Sequence, residues 1–296
     1  MGDVIGLRRL VPGDAEFPPL LREIPAPPRI LHVVGRHIEP APMVAVVGTR
    51  RPSRYGLEVG RAMAAGLAAA GVTVVSGLAT GIDAAAHRGA LEAGGITIAV
   101  LGNGLDVCYP WRNAALYDEI RKRGTLLSEY PEGTRPLRHH FPTRNRIIAG
   151  MALGVVIVEG REEGGAMITA RLAGEMGREV FAVPGPVHAP ESAGPLALIR
   201  DGARTVTSPE DVLEDLGLRA SSSRSPETSY ELGPDEQRVL GALAAEPAVL
   251  DAIANAVAMP VSAAAAVLAR LELAGLAGRH PGGRFARTVG SAGCIL

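Results

Sequence analysis

Continuous apolar runs that end in glycine, each followed by a stretch of helical periodicity, dominate the chain from about residue 41 to 216. The first is Met43-Val44-Ala45-Val46-Val47, which runs into Gly48. Five apolar residues without alternation predict a strand covered on both faces. The same pattern predicts strands over 44–47, 72–75, 97–101, 125–127, 155–158 and 180–183, with a short one at 204–206. Helices are predicted around 57–70, 84–93, 114–122, 144–151 and 167–176. Ser208 before Pro209 reads as a helix cap with proline in the first turn, which closes this region near Leu216. Strand, glycine turn and helix in repetition make the fold class α/β, with a mostly parallel, doubly wound sheet. Ligand sites of such sheets lie beyond the carboxyl ends of the strands.

The flanking segments read differently. Residues 1–40 are proline-rich and predict a short lead-in with little regular structure, ending in an extended piece at 29–34, that packs on the α/β domain of residues 41–218. Residues 219–234 are rich in serine and proline and read as a linker. Residues 235–290 predict helices at 236–245, 249–256 and 261–274 and a hairpin over 279–287 around Gly282-Gly283, leaving 291–296 as a tail. Three helices and a hairpin describe a small C-terminal winged-helix domain. Its candidate recognition helix, 262–274, offers Arg270 against Glu272, where a DNA reader presents basic and amide groups. The unit therefore reads as a DNA-binding or partner-docking module, or as a dimerisation or packing module.

Composition narrows the function. The 296 residues carry a net charge of −1, so a grip on nucleic acid needs a local patch. No apolar run reaches about 18 residues and no signal peptide is visible, so a cytoplasmic protein without membrane contact is expected. Cys108 and Cys294 are far apart and read as free thiols.

Four loops carry the candidate chemistry. The first, 48–56, puts Gly48, Thr49, Arg50, Arg51 and Arg54 at a strand end before a helix. It matches neither the dinucleotide fingerprint nor a P-loop, and three arginines suit a phosphate chain better than one cofactor. The second, 76–83, brings Ser76 and Gly77, with Thr80 and Asp83 as natural caps and His87 one turn beyond Asp83. The third, 135–150, holds four arginines, two histidines and no carboxylate. Arg138, Arg144, Asn145 and Arg146 read as an anion site at a helix start, and His140 and Phe141 as surfaces for a base. The fourth, 159–166, starts a helix with Gly164 and Gly165, but its carboxylates make it less attractive to phosphate.

No Ser/His/Asp arrangement, Cys/His metal spacing or placed carboxylate pair is evident, so no catalytic residue, metal or cofactor is expected. That favours a binding protein over an enzyme. The alternative is a nucleotide-processing enzyme of the lysine-decarboxylase-like Rossmann group, with the 76–81 loop on one phosphate. A third reading is an adaptor whose winged helix docks a partner.

Val46-Val-Gly-Thr-Arg50, Ser53-x-Tyr55-Gly56, Ser76-Gly-Leu-Ala-x-Gly-Ile-Asp83 and Ala86-His87-x-Gly89 occur in that order. Ala99-Val-Leu-Gly-x-Gly-Leu-Asp106, Tyr109-Pro110, Phe141-Pro-x-Arg-Asn-Arg-Ile-Ile-Ala-Gly150 and Phe181-Ala-Val-Pro-Gly185 follow. This series resembles the DNA-processing protein A family, DprA/Smf, over roughly residues 17–216, with a looser likeness to its winged-helix domain in the tail. The resemblance implies an extended Rossmann-like fold that binds single-stranded DNA without sequence preference. It also implies a homodimer that protects incoming DNA and loads RecA during natural transformation. It places the family's motif arginines at Arg50, Arg144 and Arg146, with Asn145 between the last two. Three positions depart from the family pattern. Gly164-Gly165-Ala166 replaces a Ser-Gly-Ser-like element, an asparagine is missing from 192–199, and Trp111 follows Tyr-Pro where a basic residue is usual, with Arg112 next. The helical domain that precedes the Rossmann part in many members is expected to be absent or reduced to the lead-in.

Overall fold

The computed structural model describes residues 6–218, 232–243, 248–273, 276–280 and 284–287. The chain divides into two units, 1–223 and 224–296. In the first, the strands are β1 (Arg8–Leu10), β2 (Leu31–Gly35), β3 (Met43–Val47), β4 (Thr73–Ser76), β5 (Thr97–Leu101), β6 (Thr125–Ser128), β7 (Gly154–Ile157), β8 (Glu179–Ala182) and β9 (Arg204–Thr205). The helices are α1 (Pro19–Arg22), α2 (Arg54–Ala69), α3 (Ile82–Glu92), α4 (Ala114–Arg123), α5 (His140–Met151), α6 (Gly165–Glu175), α7 (Ala193–Arg200) and α8 (Pro209–Asp215).

The strands form one sheet in the order β1-β2-β6-β5-β4-β3-β7-β8-β9. All neighbours from β6 to β9 are parallel. The run β5-β4-β3-β7-β8-β9 follows the strand order of dinucleotide-binding sheets, with the chain reversing direction between β3 and β7. The unbroken apolar run in β3 has a direct cause. Met43, Ala45 and Val47 join a core with Ile147 and Ala170 of α5 and α6. Val44 and Val46 join another with Met63, Leu67 and Ala86 of α2 and α3. Alternate side chains thus serve opposite faces, and neither face tolerates a polar residue. Helices α2 and α3 approach so closely that a Cβ on Gly89 would lie 2.1 Å from the Arg61 carbonyl oxygen.

Residues 1–40 correct the expectation of little regular structure. They supply β1 and α1 ahead of β2, which is the extended piece expected at 29–34, and β2 pairs antiparallel with β6, so the lead-in extends the sheet. Phe17 and Leu21 are wholly buried in the core beside α5. Glu16 fastens the segment by accepting from Arg8 at 3.0 Å, His37 at 2.8 Å and the Ile38 amide at 2.9 Å.

The second unit contains α9 (Pro234–Ala242), β10 (Ala248–Val249), α10 (Leu250–Ala256), α11 (Val261–Leu273), β11 (Ala277–His280) and β12 (Arg284–Arg287). Its antiparallel sheet has the order β10-β12-β11 around a core of Val239, Ile253, Leu268, Leu271 and Phe285. This is the expected winged helix, with β10 added. Helix α9 begins inside the stretch read as linker, with Gly233 as its cap. Residues 219–231, the Gly282-Gly283 turn and the 291–296 tail lie outside the described residues. Among the described residues, no single helix is long and apolar enough to cross a membrane.

His87 does not pair with Asp83. Its Nδ1 lies 2.7 Å from Thr97 Oγ1, whose hydroxyl donates to the Val74 carbonyl at 2.8 Å. The hydroxyl is therefore the acceptor toward histidine, and the proton sits on Nδ1. Burial, with Arg144 and Arg88 adding repulsion, pushes the His87 pKa from 6.5 down to about 3. A depressed folded-state pKa means that the stability is fully present above about 6.5 and is lost as pH falls toward 3. Denaturant titrations should show wild type losing up to about 1.4 kcal/mol per pH unit in that window beyond what His87→Gln loses. Parallel pH profiles for the two proteins would contradict this.

Candidate nucleic-acid interface

Four motif residues meet at the start of α2. Ser53 caps the helix, its Oγ accepting from the Gly56 amide at 3.0 Å. The same serine donates to the Glu159 carboxylate from its amide at 2.9 Å and from its hydroxyl at 2.5 Å. Glu159, only 3% exposed, leaves no space for a Cβ on Gly56, which would lie 2.2 Å from its Oε2. Tyr55 donates to the Pro184 carbonyl at 2.9 Å. The positive end of α2, read from sequence as open to phosphate, is thus already occupied by the chain's own carboxylate.

The second loop is organised by Asp83 and Arg144. Asp83 does not cap α3, whose N-cap is Gly81. Its carboxylate accepts from the amides of Gly77 at 3.2 Å and Ala79 at 3.4 Å. Arg144 is 4% exposed. Its Nη1 donates to the Gly77 carbonyl at 2.7 Å and to that of Val100, which ties the ends of β4 and β5 together. A Cβ on Gly77 would sit 2.5 Å from that Nη1. Burial pushes the Arg144 pKa down to about 10, opposed by Asp83 and assisted by Arg50, so it remains a cation at neutral pH. Burial likewise raises the Asp83 pKa, and the Arg144 charge opposes that rise. Asn113, also buried, donates to the carbonyls of Leu78 at 2.9 Å and Ala79 at 3.3 Å, where Leu78 holds a left-handed φ of 56°.

The third stretch needs three corrections. Helix α5 begins at His140, so Arg144 stands one turn inside it and faces the sheet, not the helix start. His140 is buried, stacked on Tyr130 with centroids 4.1 Å apart, and its Nδ1 lies 3.0 Å from the Gly102 carbonyl oxygen. It offers no free face to a base. Arg146 pairs with both oxygens of Glu129 at 2.6 Å. That carboxylate comes from the end of β6, outside the window that contained none. Asn145 reaches toward the start of α6, with Nδ2 3.3 Å from the Gly165 carbonyl oxygen.

Beyond the ends of β3 and β7, where the chain reverses direction, lies a groove of about 870 Å³. Gly48, Thr49, Arg50, Arg51, Arg138, Phe141, Arg144 and Asn145 all border it. A smaller cavity of about 80 Å³ adjoins it, lined by Arg50, Gly77, Thr80, Tyr109, Phe141 and Arg144 among others. Arg50, Arg51 and Arg138 are exposed and have no carboxylate within ion-pair distance among the described residues. The Arg50 guanidinium stands 5.3 Å from the Phe141 ring centroid. The remaining sequence candidates lie elsewhere. Arg54 is paired with Glu58 at 2.8 Å. Ser76 is buried, its hydroxyl donating to the Val46 carbonyl at 2.7 Å. Arg112 borders neither space and lies over the Trp111 ring at 5.8 Å.

Sequence reasoning passed over two contributors. Tyr109 lines both spaces, its ring 5.6 Å from Phe141, and stood in the quoted Tyr-Pro motif. The fourth loop brings Arg161, Gly164 and Gly165 to the groove, and α6 starts there without a side-chain cap. Of the carboxylates there, Glu159 is turned onto Ser53, Glu162 and Glu163 are exposed, and Glu191 borders the groove 4.0 Å from Arg161. Among the described residues, no group of three or more His, Cys, Asp or Glu side chains is placed to hold a metal ion.

Arg144 and Arg50 should separate in a stability assay. Arg144→Leu leaves two buried carbonyls without their donor and Asp83 without a facing cation, a loss of about 2–4 kcal/mol in urea denaturation. Arg50→Leu, at an exposed position, should change stability by less than about 0.5 kcal/mol. Equal stabilities would refute the structural role of Arg144.

Comparison with known proteins agrees with this architecture. A family model described as DNA recombination-mediator protein A matches residues 8–217, and one described as the DprA winged helix domain matches 223–283. Protein Smf of Escherichia coli is 44% identical, covering 93% of this chain and 76% of its own length. Protein Smf of Synechocystis is 38% identical, covering 94% of this chain and 79% of its own. The structure of DNA processing protein A from Streptococcus pneumoniae superimposes with a TM-score of 0.68 at 44% identity, over 71% of this chain and 74% of that one. That of DNA processing protein A from Helicobacter pylori, reported for its single-stranded DNA binding mode, gives 0.63 at 30% identity, over 71% of this chain and 95% of that one. With both units matched in order and the motif residues assembled at the ends of β3, β4 and β7, the chain belongs to the DNA recombination-mediator protein A family, DprA/Smf.

Proposed function

We propose that this protein binds single-stranded DNA without sequence preference in the groove beyond β3 and β7, protects it, and loads RecA onto it during natural transformation, acting as a homodimer in the cytoplasm. The observation that carries the DNA reading is the convergence of Arg50, Arg51 and Arg138 on one groove with no carboxylate tying them down. Unpaired guanidinium groups attract a sugar–phosphate chain and release its counterions. The aromatic faces of Phe141 and Tyr109 suit bases of any identity, because every base has a π-face. RecA loading and dimerisation rest on family membership.

Four groups that acid–base chemistry would draw on are already engaged. Glu159 is held by Ser53, Asp83 by two backbone amides, His87 by Thr97 and His140 next to the Gly102 carbonyl. This supports a binding protein over the nucleotide-processing alternative.

Gel shifts with single- and double-stranded oligonucleotides across a salt series test the proposal. Affinity for single strands should exceed that for duplex and fall steeply with salt. Arg50→Glu should weaken single-strand binding by at least about tenfold and lower the salt slope by about one. Binding unchanged by Arg50→Glu, or equal affinity for duplex, would overturn it.

A further inference from the structure

The groove and cavity leave an aromatic surface next to them unexplained. Trp111 is the only tryptophan in the chain and is 75% exposed. An indole in water forfeits the burial that makes it worth keeping, and large exposed aromatics mark contact sites. It opens the 3-10 turn Trp111–Asn113, directly after Tyr109 and Pro110, which line the small cavity. The turn is pinned to the cavity wall, since Asn113 holds the Leu78 and Ala79 carbonyls and Ala79 lines both spaces. The Arg112 guanidinium covers one face of the indole at 5.8 Å. A second exposed aromatic, Tyr109, lies two residues before Trp111, its ring 5.6 Å from that of Phe141.

We propose that Trp111 is a stacking platform for a nucleobase, an outer subsite where a single strand continues past the cavity bounded by Arg50 and Phe141. This rests on the DNA-binding reading given above. A rigid turn presents the ring, Arg112 backs it, and the same guanidinium supplies a charge for the adjoining phosphate. Acceptance of any base follows from stacking without base-edge contacts.

The lone tryptophan reports on itself. With wild-type protein, oligo-dT of about 20 nucleotides should quench the intrinsic fluorescence at saturation, and an abasic oligomer of equal length should bind without quenching. Trp111→Ala should lower affinity for oligo-dT by about 5- to 100-fold, leave abasic affinity unchanged, and keep the wild-type melting temperature, with Trp111→Phe restoring most of the loss. Oligo-dT binding, followed by anisotropy of a labelled strand, that leaves the tryptophan emission unmoved would overturn the subsite. So would equal losses for oligo-dT and abasic strands in Trp111→Ala, or an emission change that follows protein concentration alone. Failure of wild type to bind labelled oligo-dT at all would instead refute the DNA-binding reading.

Discussion

A guanidinium buried beneath the ends of two parallel strands sets the conditions for the whole rim of the sheet. Arg144 donates to carbonyls at the ends of β4 and β5, the edge from which the two loops of the small cavity depart. Asp83 balances this charge electrostatically from nearby, while its own Oδ2 accepts from two backbone amides. The floor of the site thus holds a buried cation and a facing carboxylate, and the excess of positive charge around the groove comes from the exposed arginines.

The helix starts around the groove divide the remaining work. At α2 the positive end is matched internally by Glu159 through Ser53, and near α3 the amides of the preceding loop are matched by Asp83. Helices α3 and α6 both begin after a glycine without a side-chain cap, and of the two only α6 has its first turn bordering the groove with no carboxylate accepting from the preceding amides. In the proposed function, anion recognition would fall to the exposed guanidinium groups and to the start of α6. A sheet with this strand order holds a single dinucleotide pyrophosphate through helix amides. In the proposed function long, flexible side chains would do that work, which fits a repeating phosphate ligand that has no fixed register.

Much of this was legible in the residues. Apolar runs located the six strands β3 to β8, because a strand covered on both faces carries that signature. The lead-in was harder. The extended piece at 29–34 was legible as β2, but the three-residue β1 was not, and the pairing of β2 depends on β6, nearly a hundred residues away. The arginines were read by charge where they needed to be read by periodicity. His140, Arg144, Ile147, Ile148 and Met151 fall on one helical face, and all are buried. That spacing placed Arg144 and His140 inward before any coordinates, whereas the pairing of Arg146 with Glu129 crosses elements and left no local trace.

The contact between Gly77 and Arg144 reaches further. The guanidinium fills the volume that any side chain at 77 would need, with 2.5 Å left to a Cβ. Two positions 67 apart in the chain are therefore one steric unit, and neither drifts alone. A descendant that traded the arginine for something shorter would open room at 77, and one that enlarged the glycine first would expel the cation from beneath the sheet. Evolutionary paths through this corner are ordered: the large residue must shrink before the small one grows.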